Sequence, residues 1–225
     1  MKTLLQLIFT VALFSLLFYS SSYAQGTSNQ AGNVIGKARV VNYSANETLH
    51  QPDLLVSTKG GVQNVVITIE DITGAFKEDP IEIDQKNMAY SPRIAVTMVG
   101  NEIVFLNSDA LLHNVHTFQR DEPVFNVVMP KINTTYQYET AEAGLMKVQC
   151  DVHPGMEGYV MVTSNPYYAV TNSGGLFQIN SLPVGTYKFK AWHEKLGTAE
   201  KEVTVKAGEK TAVIFDFTTE VALNQ

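Results

Sequence analysis

Hydrophobic residues along this chain fall in short runs with a repeat of two, which predicts strands and not helices. The run Val65–Ile69 is β-branched throughout, as expected of a strand buried on both faces. The run Tyr187–Ala191 alternates instead, with Tyr187, Phe189 and Ala191 on one face and lysines on the other. Because no stretch of about 12 residues has a helical repeat, the pattern predicts an all-β fold.

Turn-forming residues separate these runs at intervals of about 8–12 positions, which is typical of β-sandwiches and barrels. Short strands are predicted along the chain from residue 34 onward. The predicted strands are Val34–Val41, Val65–Ile69, Ile94–Val99, Glu102–Leu106, Tyr136–Glu139, Met146–Cys150, Tyr159–Thr163, Tyr168–Val170, Leu176–Ile179, Tyr187–Ala191, Glu202–Val205 and Ala212–Phe217.

A break in the pattern at Asn165–Pro166 predicts two β-domains. The larger domain is expected to span residues 34–164, and a smaller β-sandwich is expected to span residues 165–225. The opening strand, Val34–Val41, could instead belong to the smaller domain, with the larger domain inserted into it. The sequence leaves both arrangements open.

The N-terminus has the features of a cleaved secretion signal. Lys2 precedes the apolar run Leu4–Tyr19, and Ser22 and Ala24 form a small-x-small cleavage signal. We expect cleavage after Ala24, a flexible leader over residues 25–33, and a secreted, periplasmic protein without a stable membrane anchor. A retained anchor helix is the alternative, although the apolar run is short for a membrane span.

The charge balance narrows the range of partners. The whole chain carries a net charge of −6, and loss of Lys2 with the signal segment makes it −7. An acidic surface argues against nucleic acid or an anionic membrane face as a partner. It is compatible with a basic protein partner.

Cysteine usage adds a constraint, because Cys150 is the single cysteine of the sequence. An intramolecular disulfide is therefore excluded, although oxidising compartments favour such bonds. A lone thiol in that environment is open to oxidation unless something protects it, and a bound metal would do so. The alternative is a buried, inert cysteine.

Three potential metal ligands, Cys150, His153 and Met156, lie within seven residues at a predicted strand–loop–strand corner. A second segment supplies His113 at the end of another hairpin. Two histidines and a cysteine in a trigonal plane, with a weak axial methionine, form the blue-copper electron-transfer arrangement. Zinc on the same residues remains possible from ligand type alone. His116 is expected to point away from His113, as a surface or core histidine and not as a ligand.

Both segments resemble those of the cupredoxins, and most closely those of the amicyanin and plastocyanin type. The ligand-loop pattern Cys-x-x-His-Pro-x-Met-x-Gly-x-Val is present, as is His-Asn-Val-His after a Phe-x-Asn strand. The matching residues are Phe105, Asn107, His113, Asn114, Val115, His116, Cys150, His153, Pro154, Met156, Gly158 and Val160.

This resemblance covers residues 88–163 and implies a Greek-key cupredoxin β-sandwich. It implies one copper ion, cycling between Cu(I) and Cu(II). The implied ligands are His113, Cys150, His153 and Met156, and Asn114 would tether the two ligand loops. Met161 is the rival axial ligand, but it lies well into the next strand.

The tail carries the patterns Gly-x-Phe-x-Ile from Gly175 and Leu-Pro-x-Gly-x-Tyr from Leu182. It resembles transthyretin-like and carboxypeptidase-regulatory β-domains. The motif is structural and implies no chemistry.

These features predict an electron-transfer carrier with a redox protein partner, and not an enzyme. The first alternative is copper handling without redox turnover, as in a chaperone or buffer. The second is an enzyme with Cys150 as nucleophile and His153 as base. That arrangement would need a cleft and an oxyanion-hole donor, which the sequence does not indicate.

Overall fold

The structure, a computed structural model, describes residues 30–41, 53–74 and 78–218. Over these residues it contains sixteen strands and no helix, which confirms the predicted all-β fold. The predicted signal segment, residues 1–24, lies outside the described residues. The strands are β1 (Ala31–Val40), β2 (Val66–Ile69), β3 (Ile81–Lys86), β4 (Ala89–Ser91), β5 (Ile94–Met98), β6 (Glu102–Asn107), β7 (His113–Gln119), β8 (Glu122–Met129), β9 (Thr134–Glu139), β10 (Gly144–Gln149), β11 (Glu157–Thr163), β12 (Ala169–Val170), β13 (Leu176–Pro183), β14 (Gly185–His193), β15 (Gly197–Val205) and β16 (Lys210–Phe217).

The strands between residues 81 and 163 form one β-sandwich. A five-stranded sheet, in the order β5-β11-β10-β7-β8, faces a four-stranded sheet in the order β4-β3-β6-β9. Alternate residues of each strand point inward, as in β6, where Ile103 and Phe105 are fully buried. The core between the sheets also holds Val115, Met146 and Val160.

The remaining strands form a second β-sandwich. Its three-stranded sheet has the order β13-β1-β16, and its four-stranded sheet has the order β12-β2-β14-β15. Val34 and Ala38 of β1 pack with Phe189 and Phe215 in its core. The alternation predicted for Tyr187–Ala191 is observed, because Tyr187, Phe189 and Ala191 are buried.

This arrangement differs from the predicted domain boundaries of 34–164 and 165–225. Strand β1 pairs with β16 in parallel and with β13 antiparallel, and β2 pairs with β12 and β14. The first sandwich is therefore an insertion between β2 and β12 of the second, which is the arrangement that the sequence left open. Backbone pairing over such distances leaves no local sequence signal. The predicted leader, 25–33, also ends earlier, since Ala31 already belongs to β1.

The two sandwiches pack against each other along the outer face of β5 and β11. Ile94, Tyr159 and Met161 of the first sandwich meet Val66 and Trp192 of the second. The rings of Tyr159 and Trp192 lie 5.5 Å apart in an edge-to-face contact. Since Val66 faces this interface while its neighbours face the second core, β2 is buried on both faces, as its sequence predicted.

A buried ion pair flanks this interface. Arg93, which precedes β5, contacts the nearly buried carboxylate of Glu194, which follows β14. Its guanidinium also lies 5.9 Å from the centre of the Tyr159 ring. Across the described residues, the structure contains no helix long and apolar enough to cross a membrane.

Candidate metal centre

Two ligand-bearing segments reach the same end of the first sandwich. His113 begins β7, and Cys150 directly follows β10, which pairs with β7. The loop between β10 and β11 carries His153 and Met156. Two hydrogen bonds close this loop: the Cys150 N–H donates to the Met156 carbonyl at 3.0 Å, and the Met156 N–H donates to the His153 carbonyl at 3.2 Å.

The structure brings His113, Cys150 and His153 together. The Cys150 Sγ lies 3.8 Å from the Nδ1 of His113 and 3.7 Å from the Nδ1 of His153. The two Nδ1 atoms are 3.0 Å apart. His113 is fully buried, Cys150 is nearly so, and His153 is partly exposed. Among the described residues, these three are the one group of His, Cys, Asp and Glu side chains close enough to hold a metal ion.

The spacing of the three atoms fits a transition-metal ion. The circle through them has a radius of about 2.0 Å, close to the bond lengths of about 2.0 Å to nitrogen and about 2.3 Å to sulfur. One ion near the centre of that circle would therefore contact both nitrogens and the sulfur. A thiolate with two imidazoles suits copper or zinc and is a poor set for magnesium or calcium, which prefer oxygen.

The orientation of the His113 ring is set by a carboxylate that the sequence analysis missed. The Nε2 of His113 lies 3.0 Å from the Oδ2 of Asp109. A carboxylate accepts, so the Nε2–H donates and the Nδ1 lone pair faces Cys150. Burial alone would raise the pKa of Asp109. Hydrogen bonds from the backbone N–H groups of Met88 and Asn87, and from His113, outweigh this and lower it, so the carboxyl is ionised at neutral pH.

Asn114 hydrogen-bonds from the segment that carries His113 to the segment that carries Cys150. Its Oδ1 accepts from the Asp151 N–H at 2.7 Å, and its Nδ2 donates to the Asp151 carboxylate at 2.8 Å. The carbonyl of Asn114 accepts from Gln85 and from the Tyr90 hydroxyl. Asn114 therefore links the residue after Cys150 to strands of the opposite sheet.

The two candidate axial methionines pack in different parts of the molecule. Met156 is 3% exposed and belongs to the same buried cluster as Cys150. Met161 packs at the interface between the sandwiches. Alternation along β11 directs Met161 towards that interface, whereas Met156 packs in the cluster that contains Cys150.

His116 is not part of the cluster, in agreement with its expected direction. Its Nδ1 lies 3.0 Å from the Asp151 carboxylate, and its ring contacts Phe118 on the outer face of the sheet. Asn126 and Gln149 also donate to Asp151.

A spacing of four between Asp109 and His113 was the available sequence signal for the missed carboxylate, but such pairs are common in loops.

Comparisons with known proteins give partial matches. A family model described as polysaccharide lyase family 4, domain II, matches residues 151–213. That stretch begins in the ligand loop and extends through most of the second sandwich. The transthyretin-like assignment of the tail is not supported by this match. No curated protein sequence matches the chain significantly.

Solved structures of amicyanin also match. A reduced amicyanin variant and the Cu(I) form of another are each 26% identical to this chain. An oxidised variant is 27% identical. Each match covers 43% of this chain and 98% of the amicyanin chain, with a TM-score of 0.35.

Proposed function

We propose that this protein is a mononuclear type 1 copper protein that carries single electrons in the periplasm. The observation that carries the proposal is the convergence of His113, Cys150 and His153 on a circle of about 2.0 Å radius. Met156 is the proposed weak fourth ligand. A bound copper ion would supply one-electron chemistry between Cu(I) and Cu(II).

The surrounding residues favour fast electron exchange because they hold the site fixed. Thiolate and thioether sulfur suit Cu(I), whereas imidazole accepts Cu(II). Hydrogen bonds accepted by the Asp109 carboxylate and by the Asn114 side chain restrain His113 and the residue after Cys150 in one position. A site restrained in this way needs little rearrangement when its charge changes.

Electrons are proposed to enter and leave through His153. Its ring is partly exposed, whereas the His113 ring is fully buried. The exposed apolar residues near the site support a docking surface there. They are Leu111 (46% exposed), Leu112 (47%), Val128 (59%) and Val152 (47%).

These four residues, here called the apolar rim, lie near the ligands because they are adjacent to them in sequence or in strand pairing. Leu111 and Leu112 directly precede His113, and Val152 directly precedes His153. Val128 of β8 pairs with Asn114 of the neighbouring strand β7. Exposed apolar patches often mark partner sites, and a small one suits a short redox encounter. The acidic net charge would steer a basic redox protein towards it. Met156 is buried and does not belong to the apolar rim.

A catalytic role for Cys150 is disfavoured, and we propose that the protein is not an enzyme. The Cys150 side chain is nearly buried, and two histidine nitrogens occupy its free side. A nucleophile needs space for a substrate beside its sulfur.

The proposal that the protein is secreted rests on the N-terminal segment, residues 1–24.

Voltammetry of the copper-loaded protein distinguishes electron transfer from copper handling. An electron carrier should give a reversible one-electron couple and retain copper through repeated cycles. A copper chaperone or buffer should lose the ion on reduction, or pass it to a chelator within the same cycles. Loss of copper on every reduction would refute the electron-transfer proposal.

A further inference from the structure

Asp109 is the one carboxylate within hydrogen-bond distance of a candidate ligand ring among the described residues. Its Oδ2 lies 3.0 Å from the Nε2 of His113, on the side of the ring opposite Cys150. His113 is fully buried, and the Asp109 side chain is 14% exposed. The negative charge therefore acts on the imidazole with little water between them.

The Asp109 carboxylate is fixed from two directions. The N–H groups of Asn87 and Met88, at the tip of the β3–β4 hairpin, donate to its two oxygens at 2.8 Å and 2.9 Å. Its own N–H donates to the Asn107 side chain at 2.9 Å. Both hairpin residues have positive φ, of 56°, a conformation that turns successive N–H groups towards one acceptor. The carboxylate is therefore a built part of the site and not a mobile surface group.

We propose that Asp109 is a positioning residue that holds His113 in its ligating tautomer and lowers the reduction potential of the copper site. The inference rests on the proposed copper function. A carboxylate that accepts from one imidazole nitrogen makes the other nitrogen a stronger donor. A stronger nitrogen donor, with a nearby negative charge, stabilises Cu(II) more than Cu(I).

Asp151 offers a matched control, since it is another carboxylate close to the ligands that does not touch a ligand ring. It directly follows Cys150, and its oxygens accept from Asn114, Asn126, Gln149 and His116. Asp109→Asn and Asp151→Asn each remove one negative charge. Each also places an amide NH₂ opposite existing N–H donors. Only Asp109→Asn removes the carboxylate from a ligand imidazole.

The test compares both variants with the parent full-length protein by voltammetry and by Zn²⁺ titration. For Asp109→Asn we expect the ratio of Cu(II) to Cu(I) affinity to fall about tenfold, an upward shift of about 59 mV for a one-electron couple. We expect Zn²⁺ affinity to fall about tenfold as well. Asp151→Asn loses the same charge but no contact with a ligand ring, so it should shift both quantities clearly less than Asp109→Asn does.

Two results would overturn the proposal: values for Asp109→Asn within twofold of the parent, or equal shifts in both variants. The Zn²⁺ measurement does not depend on redox turnover, so it tests Asp109 even if the electron-transfer proposal fails. If Asp109→Asn does not fold, NMR of the parent protein in its diamagnetic Cu(I) form tests the hydrogen bond between His113 and Asp109. A downfield, exchange-protected Nε2 proton on His113 is expected, and a rapidly exchanging one would refute the hydrogen bond.

Discussion

The Nδ1 atoms of His113 and His153 lie 3.0 Å apart, although 40 residues separate them in the sequence. Two nitrogen lone pairs repel at this distance unless a proton or a metal ion lies between them. One ring belongs to a strand and the other to a loop that starts from the neighbouring strand. The β-sandwich therefore brings the two rings together, and an ion bound there stabilises the folded state over the unfolded chain.

Metal removal should consequently lower the thermal stability. At an ion concentration 100 times the dissociation constant, binding contributes about 2.7 kcal/mol, or roughly 5–10 °C in the unfolding midpoint. Calorimetry of the chelator-treated protein, with and without added Zn²⁺ or Cu²⁺, measures this shift. The His153→Ala variant should show a much smaller shift in the unfolding midpoint. The His153 ring is partly exposed, so its removal should disturb the fold little. An equal shift in that variant would place the ion elsewhere.

Met156→Leu should leave copper bound and raise the reduction potential. A weak sulfur donor stabilises Cu(II) more than Cu(I), so its removal favours the reduced ion. Met161→Leu is the matched control, because Met161 packs at the interface between the sandwiches. Voltammetry of both variants decides the assignment. A shift in the Met161 variant alone would show that the wrong sulfur has been chosen.

Leu111→Glu and Leu112→Glu should slow electron exchange with a redox partner roughly tenfold each, about 1.4 kcal/mol of encounter free energy. A charge in the apolar rim must lose water on docking, which weakens the encounter complex. The absorption spectrum should not change, since neither side chain is a proposed ligand. Stopped-flow kinetics measures the rates. Leu176→Glu, 52% exposed on the second sandwich, is the control. Unchanged rates in both rim variants would refute docking at this surface.

His193 should make the fold sensitive to acid. Burial, together with the nearby positive charge of Arg93, lowers the pKa of this histidine from 6.5 to about 4. Between these two values the unfolded chain binds a proton that the folded chain does not, so stability falls as pH decreases through this window. The loss between pH 7.5 and pH 5 should be about 2 kcal/mol from this group.

Urea denaturation of the parent and of His193→Gln, at both pH values and under the same metal conditions, isolates this contribution. The variant cannot take up the proton in either state, so its stability should fall less on acidification. The difference between the two proteins is the quantity of interest, because other groups also titrate in this range. Identical losses in parent and variant would show that His193 does not carry the effect.

The sequence predicted the all-β fold and the grouping of Cys150 with His153 from local signals, whereas His113 was added by the resemblance of two separate motifs. Cys150 and His153 are close in the chain, and alternation within each strand identifies its buried face. Pairing between distant strands has no such signal. From the sequence, β1 therefore could not be assigned to one of the two domains. The insertion was recognised only from the parallel pairing of β1 with β16 in the structure.

Four strands were missed for related reasons. In β8, an edge strand, Pro123 lies near the start, and the outward-facing Val124 and Val128 are apolar like the inward-facing residues, so the sequence shows no clear alternation. Strand β7 mixes histidine and asparagine with apolar residues, because its first residues serve the metal centre. Asp109 was missed because its role depends on two backbone N–H groups of a hairpin that the sequence did not predict. The remaining missed strands, β3 and β4, form that hairpin.

The most direct test of the account is the visible absorption spectrum of the full-length protein after one equivalent of Cu(II) is added. Cys150 supplies a thiolate, and His113 and His153 supply two imidazoles around the same point. Copper bound by these three groups should give an intense blue charge-transfer band. Cys150→Ser should abolish that band, since the thiolate is the electron donor in the transition. A colourless copper-loaded protein, or one that retains only zinc, would contradict the proposed copper site.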